Sequence, residues 1–224
     1  MSFSRALKEK AHQVWEDGYH HPFVQGIGKG TLPKETFQFY LLQDYRYLLQ
    51  YAKVFALAAV KAEDEETIAR LTHVQHSILA EEMDMHRQYM AGFGIEKERI
   101  ASVRPSLYNR TYTANMLAVG QTGELVDILA TVFPCAWTYC DYAKRLKVQY
   151  ADKLENNFYK TWIENYAGNA FEDSYAWFYD AIDERMEGKS ERQKKKVEDI
   201  FVASVEFEYL FWEMSYKQEM SYTL

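Results

Sequence analysis

The chain has little that would staple, break or swivel its backbone. Its 224 residues include two cysteines, four prolines and ten glycines. Cys135 and Cys140 stand five apart, so on one helix they diverge and cannot bridge without unwinding it. That excludes a disulfide framework and leaves two free thiols, the state expected of a cytoplasmic protein in a reducing compartment. Greasy runs are also missing. None approaches membrane-spanning length, and the opening stretch Met1 to Lys10 carries charges where a signal peptide needs an apolar segment. Positive charge is scarce as well, with 26 Lys and Arg against 33 Asp and Glu and a net charge of -7. Without a basic stripe to neutralise phosphates, nucleic acid is an unsuitable partner. The short run Lys194 to Lys196 reads as a solvated helix face. Strand-like alternation, internal repeats and low-complexity linkers are absent too.

What the chain does have is apolar and aromatic bulk. Apolar residues make up 48% of it, and there are eighteen tyrosines and five tryptophans. Such side chains suit a pocket that is apolar yet able to hydrogen-bond. The length fits one domain over residues 1–224, and the hydrophobic periodicity predicts an all-α, multi-helix bundle. A helix is expected from about Ser4 to Asp17, then a glycine-containing loop from His20 to Leu32, closed by Pro33 at the next helix start. That loop lacks a preceding strand and the Gly-Lys-Ser/Thr ending of a phosphate loop, so its glycines read as turn glycines.

Four long helices carry ionisable groups where the pattern calls for apolar ones. From Pro33 to about Ala62 the stripe is Phe37, Leu41, Asp44, Leu48, Tyr51 and Phe55. From the cap at Asp64 to about Ala91 it is Ile68, Leu71, Gln75, Ile78, Glu82, Met85 and Tyr89. Beyond Gly120 and Gly123 comes Leu125, Ile128, Val132, Cys135, Tyr139, Tyr142 and Leu146, with Cys140 off the line. Pro134 interrupts this third stripe, and a kink there would open space beside Cys135. Shorter helices are expected from Asn157 to Tyr166 and from Phe171 to Glu187. A capping box, Ser190 with Gln193, opens the last long helix, whose stripe is Val197, Phe201, Ser204, Glu208, Phe211 and Ser215, with Glu206 well off it.

A lone buried cysteine is ordinarily inert packing, and a lone buried acid ordinarily satisfies a helix end or an arginine. Asp44, Cys135 and Glu208 together, beside a proline and many tyrosines, suit thiolate addition to an electron-poor ring or acyl carbon. One carboxylate would recognise the substrate and another would move protons. The six histidines, His12, His20, His21, His73, His76 and His86, stand apart from the thiol in sequence. A di-iron site needs Glu-x-x-His pairs, which are missing: Glu82 and His86 are four apart, and His73 and His76 lack the Glu. Nothing marks His12 or His21 as a haem ligand.

At these residues the chain resembles the TenA family, the thiaminase II or aminopyrimidine aminohydrolase enzymes. The matching segments are His21 to Pro33, Leu42-Gln43-Asp44-Tyr45, Pro134-Cys135-Ala136-Trp137 and Phe207 to Trp212, and the likeness covers nearly the whole chain. It implies a haem-oxygenase-like helical fold, no metal or organic cofactor, and a homotetramer. It implies that Cys135 is the nucleophile, that Asp44 reads the ring's amino group and an adjacent nitrogen, and that Glu208 is the acid/base. Tyr112 would lie near the sulfur, Tyr166 would hydrogen-bond in the pocket, and Tyr47, Tyr139 and Phe211 would form aromatic walls. The reaction implied is hydrolysis of 4-amino-5-aminomethyl-2-methylpyrimidine to the hydroxymethylpyrimidine and ammonia, with thiamine as a second substrate. A non-catalytic pyrimidine-binding or regulatory protein of the same fold is the alternative.

Overall fold

A computed structural model describes residues 2–220, apart from the side chain at 97; Met1 and residues 221–224 lie outside it. Twelve α-helices follow one another among the described residues: α1 Phe3–Lys10, α2 His12–His20, α3 Pro22–Lys29, α4 Lys34–Lys61, α5 Glu65–Ser77, α6 Met83–Gly92, α7 Lys97–Ser102, α8 Leu107–Thr122, α9 Leu125–Gln149, α10 Lys160–Tyr166, α11 Asn169–Met186 and α12 Glu191–Lys217. A π-helical turn, Ile78–Glu82, joins α5 to α6, and a 3-10 turn, Leu154–Asn156, precedes α10. No described residue is in a strand, so the all-α expectation holds. The described residues fall into two compact units, one made of 2–32 with 129–213 and the other of 33–128 with 214–220.

In the first unit the expected loop from His20 to Leu32 is instead a helix, α3. Pro22 sits at its first turn, where a missing N–H costs nothing. His21 caps it, accepting the Phe23 N–H at Nδ1 (3.1 Å). Gly28 stays a glycine because of packing, not because of a turn: a Cβ there would lie 2.5 Å from the Tyr150 ring and 2.6 Å from Leu146. Of Gly26, Gly28 and Gly30, the last alone, at φ 71°, uses the left-handed freedom of glycine, as the helix C-cap. The Asn157 side chain donates to the carbonyls of Ile27 (2.9 Å) and Gly28 (3.0 Å), satisfying the end of α3. The unit's core is aromatic. Trp137 lies between Phe133 (4.8 Å, stacked) and Trp15 (5.3 Å, edge-on), and Tyr142 donates to the Trp15 carbonyl at 2.7 Å. Helix α9 continues through Pro134 to Gln149.

In the second unit α4 is central, packed against α5, α6 and α8. Its predicted stripe is buried at every position, from Phe37 through Asp44 to Phe55. Ser106 caps α8 by accepting the Asn109 N–H (3.0 Å), and the Asn109 amide donates to the Gln43 carbonyl (2.7 Å), tying α8 to α4. Gly120 lies inside α8 and does not end it; a Cβ there would come 2.8 Å from Leu57 on α4. The short α7 has no counterpart in the sequence reading.

The π turn corrects a second expectation. An unbroken α-helix from Asp64 would bury Glu82, Met85 and Tyr89. The structure leaves those three half-buried and buries Met83, His86 and Met90 instead. From Leu71 to Ile78 the buried face advances by seven, as two α-turns require, but from Ile78 to Met83 it advances by five. The π turn supplies the extra residue, and every later side chain moves one place around the helix.

Candidate functional site

In the first unit two contacts that join α9 to α12 flank Cys135 and Glu208. Thr131 and Ser204 share a hydroxyl hydrogen bond at 3.0 Å, and both are fully buried. Two turns further along each helix, the Tyr139 ring meets the Trp212 ring at 4.8 Å. Both pairs are 73 residues apart in sequence, and so are Cys135 and Glu208, which lie one turn beyond the first pair and one turn before the second. Cys135 on α9 and Glu208 on α12 each stand between the two contacts on their own helix. Glu208 is 3% exposed, whereas Glu206 points to solvent, as the stripe of α12 predicts.

Cys135 is half-buried, and neither cysteine is in a disulfide. Cys140, expected off the buried line, is nonetheless 1% exposed, because α9 is covered on nearly every side and a single stripe underestimates its burial. Burial raises the Cys140 thiol pKa against a hydrogen bond with Tyr175 that lowers it. Tyr139 also touches Tyr166 (5.0 Å) and Trp162 (5.7 Å), and Phe211 lies edge-on to Trp212 at 6.5 Å. So Tyr139, Tyr166 and Phe211 are all buried and linked through Trp212 and Tyr139. Burial, followed by the charges of Asp141 and Glu208, pushes the Tyr142 hydroxyl well above the usual tyrosine range.

The second unit holds Asp44, Tyr47 and Tyr112. The rings of Tyr47 and Tyr112 are 5.1 Å apart, and Tyr47 donates to the Met116 sulfur at 3.7 Å. Asp44 is 4% exposed, and its Oδ2 lies 2.6 Å from Nε2 of His86. The sequence reading missed His86 as this partner, since straight α-periodicity from Asp64 puts Glu82 on the buried line. The signal that could have found it is a histidine among apolar neighbours one place off that line. Burial opposes protonation of His86, but the hydrogen bond and charge of Asp44, joined by the charge of Glu82, outweigh it and raise the imidazole pKa.

His21, once weighed as a haem ligand, is engaged elsewhere: Nδ1 caps α3 and Nε2 lies 2.9 Å from Glu213. Among the described residues no three His, Cys, Asp or Glu side chains converge as a metal would need. No helix there is long and apolar enough to cross a membrane.

An all-helical chain with these stripes shares its fold with solved proteins of haem-oxygenase-like architecture. A domain of unknown function with a heme oxygenase-like fold from Shewanella denitrificans matches at a TM-score of 0.75, covering 98% of each chain at 16% identity. Within that fold the match is specific: residues 8–218 fit the TENA/THI-4/PQQC family, and the chain belongs to it. A TenA homologue from P. horikoshii matches at a TM-score of 0.89 and 27% identity, covering 98% of this chain and 100% of the other. A protein of Halalkalibacterium halodurans named aminopyrimidine aminohydrolase is 41% identical over 220 residues, 98% of each chain.

Proposed function

We propose that the chain is a hydrolase of thiamine salvage that converts 4-amino-5-aminomethyl-2-methylpyrimidine and water to 4-amino-5-hydroxymethyl-2-methylpyrimidine and ammonia. It also cleaves thiamine to the hydroxymethylpyrimidine and the thiazole alcohol. The observation that carries this reading is that a half-buried thiol on α9 and a buried carboxylate on α12 each stand between two contacts that join those helices. A relative 41% identical over almost the whole chain and named for that activity supports it.

The residue types suit the reaction. The Cys135 thiolate adds to an electron-poor ring carbon, forming a C–S bond as a ring π pair moves to nitrogen. That electron pair then expels the group on the 5-methylene, which leaves with a proton from Glu208. The Glu208 carboxylate next takes a proton from water as the oxygen bonds to the methylene carbon. The C–S bond breaks, the ring regains its aromaticity and the thiolate is restored. Asp44 reads the ring's amino group and the neighbouring nitrogen. Tyr47, Tyr112, Tyr139, Tyr166 and Phe211 contribute apolar faces and hydroxyls to substrate binding. No metal or organic cofactor enters this scheme. The active form is a homotetramer of single-domain chains in the cytoplasm.

Chromatography of the hydroxymethylpyrimidine formed by wild type, Cys135→Ser and Glu208→Gln from each substrate tests this reading. Wild type should turn over the aminomethylpyrimidine. Cys135→Ser should abolish that turnover with its helicity intact, and Glu208→Gln should lower it by about 10²–10⁴-fold, the usual worth of a general acid/base. Wild type that binds the pyrimidine but turns over neither substrate would sink the hydrolase reading in favour of a binding or regulatory protein.

A further inference from the structure

The proton inventory of the Asp44–His86 pair follows from geometry. Nδ1 of His86 lies 2.9 Å from the backbone oxygen of Glu82, an atom that can only accept, so Nδ1 carries a proton. Nε2 lies 2.6 Å from Oδ2 of Asp44, and two bare acceptors would repel at that distance, so a second proton lies between them. Whichever atom holds it, the pair has no net charge. Water hardly reaches it, the side chains being 5% and 1% exposed. Asp44 Oδ1 takes no hydrogen bond from the described residues and is left to a ligand. His21 shows the contrast: its Nδ1 accepts a backbone N–H, so its bond to Glu213 needs only the neutral imidazole.

We propose that His86 is a positioning residue acting through Asp44: it fixes the carboxyl group by way of Oδ2, leaves Oδ1 for the amino group of a 4-aminopyrimidine, and holds the proton that the adjacent ring nitrogen takes up when a nucleophile adds to the ring. This rests on the reading of Asp44 given under Proposed function. The nucleophile's electron pair forms the bond to the ring carbon, and the C=N π pair moves to the nitrogen. The nitrogen takes the one shared proton by way of the Asp44 carboxyl, which is left ionised. His86 is then neutral, with Nδ1–H still on the Glu82 carbonyl. The proton returns by the same path when the nucleophile leaves and the ring becomes aromatic again. The π turn makes this arrangement, because it turns His86 inward and offers the Glu82 carbonyl to it.

The charged groups that act on His86 are Asp44 from α4 and Glu82 from the π turn, and both favour its protonated form. Turnover by wild type should therefore hold through the ordinary histidine range of about 6.5 and fall only at higher pH, where the pair loses its proton.

His86→Gln tests the idea, because the amide can donate to Asp44 but has no proton to pass on. The measurements are kcat and KM for the aminomethylpyrimidine across pH, with calorimetric binding of the hydroxymethylpyrimidine. The Gln variant is expected to bind almost as tightly as wild type, to lose about 10²–10⁴-fold in kcat and to lose the alkaline fall. Wild-type kcat and pH profile in that variant, or a loss confined to KM or to thermal stability, would overturn the proposal. Nitrogen-15 spectra of the His86 ring in wild type give a readout that needs neither a stable variant nor turnover. Protons on both ring nitrogens at neutral pH are expected, and a bare Nδ1 would overturn the assignment. Wild type with no turnover overturns the hydrolase reading instead, and the spectra still decide the proton inventory.

Discussion

Helix α12 and the segment from α5 through α6 each run for more than twenty-five residues with one face buried, but they keep that face in different ways. In α12 the buried positions Val197, Phe201, Ser204, Glu208, Phe211 and Ser215 advance by threes and fours without interruption, so one side of a straight helix stays covered. In the other segment the advance from Ile78 to Met83 takes five, and the π turn carries the buried face to Met83, His86 and Met90. The uniform helix puts an acid in the core. The interrupted one puts a histidine there and turns the neighbouring acid toward the edge. A single inserted residue thus changes which kind of titratable group a helix presents.

The largest effect that separates the two regimes lies in the packing beyond the π turn. Met90 is 0% exposed and Met83 3%, whereas Met85 is half-buried. Met90→Ala and Met83→Ala should each cost about 2–5 kcal/mol, the range for emptying a buried methionine site. Met85→Ala should cost about 1 kcal/mol, as partly exposed positions do. Urea midpoints at constant m-value would read the difference. A larger loss for Met85→Ala than for Met90→Ala would mean that the segment keeps the α-helical count, and the contrast with α12 would disappear.

A smaller effect sharpens the other half of the comparison, the contacts that α12 keeps with α9. Thr131→Val leaves the Ser204 hydroxyl buried without its partner, and Ser204→Ala does the same to Thr131. Each should cost about 1–3 kcal/mol. The double variant should recover part of that loss, since removing both hydroxyls leaves neither unsatisfied. Strict additivity would show that the two side chains do not pair, and α9 and α12 would lose one of the two contacts that flank Cys135 and Glu208.

These regions also explain how far the amino-acid sequence could be read. The α4 and α12 stripes were legible because each is an unbroken amphipathic helix with a polar residue in an apolar slot, which is why Asp44 and Glu208 stood out. Cys135 was found beside the proline, but the cover over Cys140 was not, because a moment-like count assumes one buried face and α9 has nearly none exposed. Helix α3 was read as a loop because its glycines resemble turn residues, whereas Gly28 answers to the bulk of Tyr150 and Leu146, residues over a hundred positions away. His86 stayed hidden because local periodicity carries no mark of the π turn. The family resemblance supplied Tyr112 and Tyr166, whose burial no stripe predicted.

The smallest expected effect concerns how the two helical runs begin, and there they should behave alike. Asp64 Oδ1 accepts the Thr67 N–H at 2.7 Å to start α5, and the Ser190 hydroxyl accepts the Gln193 N–H at 3.4 Å to start α12, while Gln193 returns a bond to the Ser190 N–H. Each cap satisfies one of the orphan donors of a first turn. Asp64→Ala and Ser190→Ala should each cost about 1 kcal/mol in chemical denaturation, with the Asp64 loss the larger, because its bond is shorter and a carboxylate also favours the helix N-terminus. Equal starts followed by unequal faces would place the whole difference at the five residues of the π turn. A loss several-fold larger at Asp64 would instead mean that the start of α5 helps impose the turn, and that the inward orientation of His86 is set a full helix earlier.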